Sequence, residues 1–82
     1  MITYLWQMER AKSNYRVQTD DKETADKLKR RNGFTLIGNS LNAKKLWVYS
    51  CEFTRPDIAK KTLKSVTGKN PKIDSEGLIS YE

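Results

Sequence analysis

The sequence predicts a small α+β domain, an antiparallel sheet with two helices on one of its faces. Three observations carry that prediction. Residues 2–9 and 45–53 alternate with period two and are rich in aromatic and β-branched side chains, which marks strands. Segments 20–33 and 54–68 each run from a capping residue through good helix formers to a glycine. The chain has 82 residues, 37% hydrophobic and 32% charged, which suits one small domain over 1–82 with a single core.

The elements follow in order. Ile2, Tyr4, Trp6 and Met8 alternate with Thr3, Leu5, Gln7 and Glu9, so the first strand begins near the N-terminus. Ala11-Lys12-Ser13-Asn14 reads as a turn, and Tyr15–Thr19 alternates again, which predicts a hairpin. Asp20, with Glu23 three residues later, resembles a capping box ahead of a helix over Lys22–Asn32, stopped by Gly33. That helix has a thin apolar face, Ala25 and Leu28 with Thr24 beside them. Phe34–Ile37 is a short strand, Gly38–Lys44 a loop, and Lys45–Phe53 the strongest strand signal in the chain. A second helix opens with Thr54 as its cap and Pro56 in its first turn. Ile58, Thr62, Leu63 and Val66 form its apolar stripe, and Gly68 ends it. Lys69–Gly77 reads as a turn-rich passage before a last short strand at Leu78–Tyr81.

From the second strand onward this order is βαββαβ. It is the ferredoxin-like plan, here preceded by an extra N-terminal strand. Such a plan leaves one sheet face open, a common platform for binding.

The net charge is +6, and it is not spread evenly. Residues 27–72 hold twelve basic and two acidic residues, while both ends are mildly acidic. Three clusters stand out: Lys27, Lys29, Arg30 and Arg31; Lys44 and Lys45; and Lys60, Lys61 and Lys64. Lys27 and Arg31 lie one helical turn apart, as do Lys60 and Lys64, so each pair shares a face. On two neighbouring helices these stripes could merge into one patch that attracts phosphate. The competing reading gives the cations to helix C-terminal ends and to solubility.

Within the strongest strand, alternation puts Trp47, Tyr49, Cys51 and Phe53 on one face. Aromatics beside lysines on an open sheet face can stack single-stranded bases. Lys45, Trp47 and Tyr49 are similar to the third strand of an RNA-recognition motif, where a basic residue precedes spaced aromatics. Leu46 stands where that motif has glycine, and the Tyr15–Thr19 strand offers only Tyr15, so the similarity stops there. The competing reading makes Trp47, Tyr49, Cys51 and Phe53 the core, packed on Ile58, Leu63 and Val66. Four successive apolar positions that include a cysteine favour the core. Tyr4 and Trp6 either finish that core or make the first strand a sticky edge for a partner or a second copy.

The chain has no histidine, which removes the commonest general base and most zinc-site designs. A lone cysteine forms no internal disulfide and, inside a strand without an activating partner, is a poor nucleophile. Asp20, Asp21 and Glu23 are explained by a helix N-terminus without a metal. The expectation is therefore a binder and not an enzyme, without cofactor or metal. No basic start precedes the apolar N-terminal positions, and no window approaches a membrane span, which with the lone thiol points to the cytoplasm of a cell or of an infected host.

The leading expectation is a module that binds nucleic acid, DNA or RNA, at the phosphate backbone and through single-stranded bases. Its contacts would be Lys27, Arg30, Arg31, Lys44, Lys45, Lys60 and Lys64, with stacking at Trp47 or Tyr49. The alternative is a small non-enzymatic regulator or inhibitor of the phage or mobile-element type, set against an acidic protein surface. A homodimer through the N-terminal strand is the third arrangement considered.

Overall fold

The N-terminal alternation folds as a hairpin of β1 (Thr3–Gln7) and β2 (Asn14–Thr19). In the computed structural model, which describes residues 1–40 and 45–82, the two strands pair antiparallel from Thr3↔Thr19 to Gln7↔Tyr15. The chain continues through α1 (Lys22–Arg30), β3 (Thr35–Ser40), β4 (Leu46–Glu52), α2 (Pro56–Thr67), β5 (Pro71–Ile73) and β6 (Ile79–Tyr81). Over the described residues the result is a small α+β domain with a six-stranded antiparallel sheet and two helices.

The register fixes which side chains meet. Leu5 lies opposite Val17 on one side and Ile79 on the other, and Val17 lies opposite Tyr49. Those residues, with Tyr15, Cys51 and Tyr81, are buried in one cluster with Ala25 and Leu28 of α1 and Ala59, Leu63 and Val66 of α2. Both helices therefore cover the same sheet face. Tyr15 and Phe34 each pack edge-on against Phe53, with ring centroids 5.6 and 6.2 Å apart, and close one end of the core.

β1 turns its smaller side chains inward. Thr3 and Leu5 are buried, while Tyr4 and Trp6 point to the other face and are half-buried. The inward polar pair is satisfied internally, since the Thr3 and Thr19 hydroxyls are 2.8 Å apart.

The strand order is β3-β4-β2-β1-β6-β5. β1 stands between β2 and β6, and both of its edges are hydrogen-bonded over Thr3–Leu5. The N-terminal strand is thus interior. A homodimer through its edge has no free edge to use there, because the inward Thr3 and Leu5 seat the strand over the centre of the core. The passage expected as turn alone contains β5. Asp74 shapes its hairpin by accepting the backbone N–H groups of Glu76 and Leu78, each at 2.9 Å, and Gly77 takes a positive φ of 87°.

The helix ends differ from expectation by a residue or two. Asp21, not Asp20, caps α1. Its Oδ1 accepts the Glu23 N–H at 3.2 Å and its Oδ2 the Thr24 hydroxyl at 2.9 Å. Asp20 instead accepts the Ile2 N–H at 2.8 Å and ties down the start of the sheet. α2 is capped by Arg55, which makes no side-chain cap bond, so Thr54 stands outside the cap and Pro56 opens the helix. Gly68 closes α2 in the left-handed conformation with φ 70°. No helix among the described residues is long and apolar enough to cross a membrane.

Candidate functional site

The fold sorts charge by layer. The two helices with their flanking residues, 21–31 and 55–69, hold ten basic and four acidic residues. The rest of the chain holds six of each, so the whole net charge of +6 belongs to the helical layer.

Within that layer Lys27, Arg30 and Arg31 converge on one groove. They line a concavity of about 360 Å³ between the helices, together with Ser65 and Val66. Lys27 Nζ lies 3.5 Å from the Val66 carbonyl oxygen, which it approaches as a donor across the groove. All three cations are exposed. Among the described residues ion pairs form only at Arg55–Asp57 and Lys72–Glu82, so none of the three is neutralised by a carboxylate. Arg30 sits in the last turn of α1 and Arg31 at its C-cap, where the helix dipole favours a cation.

Lys60 and Lys64 share the layer but not the groove. At about 100° per residue they fall on the flank of α2 away from Ser65. The Lys60 carbonyl accepts the Tyr81 hydroxyl at 3.0 Å, which places that flank over β6. The basic stripes of the two helices therefore bracket α2 and do not fuse. Lys45 lies elsewhere, at the rim of a concavity on the opposite sheet face. Lys44 falls outside the described residues.

The aromatic residues of β4 belong to the core. Tyr49 is 3% exposed, and its hydroxyl donates to the Ala25 carbonyl at 3.0 Å. Trp47 is half-buried and packs against the same core. The register explains both, since Trp47 lies opposite Thr19 and Tyr49 opposite Val17, on the face the helices cover. Tyr49 therefore has no ring face free to stack a base.

Cys51 is buried beside them, with its Sγ 3.7 Å from the Tyr15 carbonyl. Burial pushes its thiol up to about 12, against a smaller downward pull from Arg16. It stays protonated at neutral pH and is no nucleophile there.

The open face presents other residues. Trp6, Arg16 and Ser50 form one row across β1, β2 and β4, and Tyr4, Gln18 and Val48 form the next. The Arg16 guanidinium is held by the Ser50 hydroxyl at 3.0 Å. The sequence signal for Arg16 and Gln18 was the alternation of β2, in which they are the partners of inward Tyr15, Val17 and Thr19. No family model, curated protein or solved structure matches the chain. The functional reading therefore rests on this geometry.

Proposed function

We propose that the protein is a small non-enzymatic binding module that holds nucleic acid by its phosphate backbone against the helical layer. The observation that carries this reading is the convergence of Lys27, Arg30 and Arg31, without carboxylate partners among the described residues, on the interhelical groove of a layer that holds all of the net charge. Guanidinium groups suit phosphate because their donors form a planar fork. Lys60 and Lys64, on the far flank of α2, extend the field to a second stretch of backbone. Lys45 and Trp47 are left out of the contact set, because one lies at the other face and the other packs on the core. We read the β2–α1–β3–β4–α2 stretch as a ferredoxin-like arrangement widened by the insertion of β1, and the site of action as the cytoplasm, where Cys51 stays reduced.

The test is a fluorescence titration of labelled single- and double-stranded DNA and RNA at about 50 and about 200 mM salt. Three phosphate contacts weaken binding by about 40-fold across that interval, because each contact releases about one counterion. The Lys27→Gln, Arg30→Gln, Arg31→Gln triple variant should lose most of the affinity and most of the salt slope. No binding at the lower salt would sink the proposal, as would a triple variant within twofold of the parent. A stoichiometric protein partner that survives nuclease treatment, without oligonucleotide binding, would move the same cations to an acidic protein surface and to the role of regulator or inhibitor.

A further inference from the structure

We infer that the open face of the sheet is a self-association surface on which a second copy of this chain docks face to face. This inference goes beyond the binding of nucleic acid and does not depend on it.

The first support is what the face carries. Trp6, Tyr4 and Arg16 stand on adjacent rows with Val48 between the strands' polar residues, and both helices lie on the opposite side. Trp, Tyr and Arg are the residue types that anchor protein interfaces. At one end of the face Ile2, Tyr4, Gln18 and Leu46 surround a concavity of about 470 Å³, large enough to receive a side chain of a partner. Arg16 is already fixed by Ser50, so ordering it on contact costs little entropy.

The second support is charge, and it selects the occupant. Among the described residues around the open face, Arg16, Lys45 and Lys72 are matched by Asp20, Glu52 and Glu82. A two-fold axis brings a surface against itself, so a charged surface pairs favourably only where it carries both signs. The helical layer, with its excess of six positive charges, fails that condition and the sheet face meets it. A nucleic-acid strand needs a one-signed basic groove beside the aromatics, which this face lacks.

The third support is geometry. Six strands at about 4.8 Å spacing span roughly 24 Å across the sheet. With strands of three to seven residues the sheet face offers roughly 500 Å², the size of a weak, concentration-dependent contact. The sheet edges are poorer routes. β3 carries a bulge between Leu36 and Gly38, and β5 is three residues long and includes Pro71 and Lys72. Face-to-face docking also leaves both helical layers pointing outward and open.

Sedimentation equilibrium from about 1 to about 300 µM tests this, read beside NMR dilution of the two indole N–H signals. The mass should climb from 9.5 kDa toward twice that value, and dilution should shift the Trp6 signal while Trp47 stays still. Arg16→Glu and Trp6→Lys should each raise the dissociation constant at least tenfold with unchanged far-ultraviolet circular dichroism. The Trp6 dilution shift needs no variant, so a misfolded substitution does not leave the matter open. A monomer throughout the range overturns the inference. So does a dimer whose dilution shifts map to Trp47, the helices or the β3 edge. A monomer whose Trp6 signal moves only on adding single-stranded oligonucleotide gives the face to nucleic acid and overturns it too. Loss of nucleic-acid binding in the groove variant, with the dimer intact, bears on the proposed function alone.

Discussion

Tyr15, Tyr49 and Tyr81 bring three phenols into one core, and two of them find partners there. Tyr49 donates to the Ala25 carbonyl and Tyr81 to the Lys60 carbonyl, each at 3.0 Å. The Tyr15 hydroxyl is buried with no partner among the described residues, although its ring packs edge-on against Phe53. A buried hydroxyl without a bond carries a desolvation cost and no return, while a bonded one contributes about 1 kcal/mol net. Tyr15→Phe should therefore be neutral or stabilising by up to about 1 kcal/mol, and Tyr49→Phe should destabilise by about 1 kcal/mol. Urea denaturation of the three proteins, at equal slope, measures both. Equal losses from the two substitutions would contradict the assignment. Nothing in the sequence distinguishes these tyrosines, because the deciding partners are helix carbonyls more than twenty residues away in the chain.

The helices show where local rules read well and where they slip. Both were legible from capping residues and composition, and both form within a residue or two of the expected spans, but only Gly68 closes its helix, since α1 ends at Arg31 in an extended conformation, two residues before Gly33. The slip at α1 came from two adjacent aspartates that each satisfy the capping pattern. Tertiary structure decides between them, since Asp20 is engaged by the Ile2 N–H and Asp21 is left to cap. At α2 the candidate cap was Thr54, yet the cap position falls on Arg55, with Pro56 fixing the first turn. Asp21→Ala should accordingly cost about 1 kcal/mol, and Thr54→Ala less than about 0.5 kcal/mol. Thermal unfolding of both variants under one buffer checks the pair, and a Thr54→Ala loss as large as that of Asp21→Ala would restore Thr54 as the cap. β5 is not legible in the sequence for a different reason. A three-residue strand with a proline shows no alternation, and only its pairing with β6 makes it a strand.

At the scale of the molecule, sequence patterns ran out at strand order. The β1–β2 hairpin is local and was readable. The pairing of β1 with β6 joins the two ends of the chain, and no spacing rule announces it. The same gap explains the site. The basic centre of the sequence was visible, but its division between a helical groove, the far flank of α2 and the opposite sheet face depends on which elements neighbour which. The inward face of β4, by contrast, is legible from its own alternation, and it has a consequence for the whole fold. Burial raises the proton affinity of four groups in one core, Tyr15, Tyr49, Cys51 and Tyr81. Cys51 moves from 9.0 and Tyr81 from 10.0, each up to about 12. In every case the folded state favours the protonated form, so the unfolded chain binds fewer protons once its own groups ionise. The stabilisation is complete below the ordinary values and is lost as pH rises toward the folded ones. Urea midpoints should therefore hold steady up to about pH 8 and fall progressively from about pH 9 to about pH 12. Because the four groups share one core, the loss should appear as a single cooperative transition by circular dichroism and by the tyrosinate absorbance of the three core tyrosines. Ionisation of more than one of the chain's four tyrosines well ahead of unfolding, or a midpoint that stays flat to about pH 11, would mean that these groups do not sit in the dry interior that the register of β2 and β4 gives them.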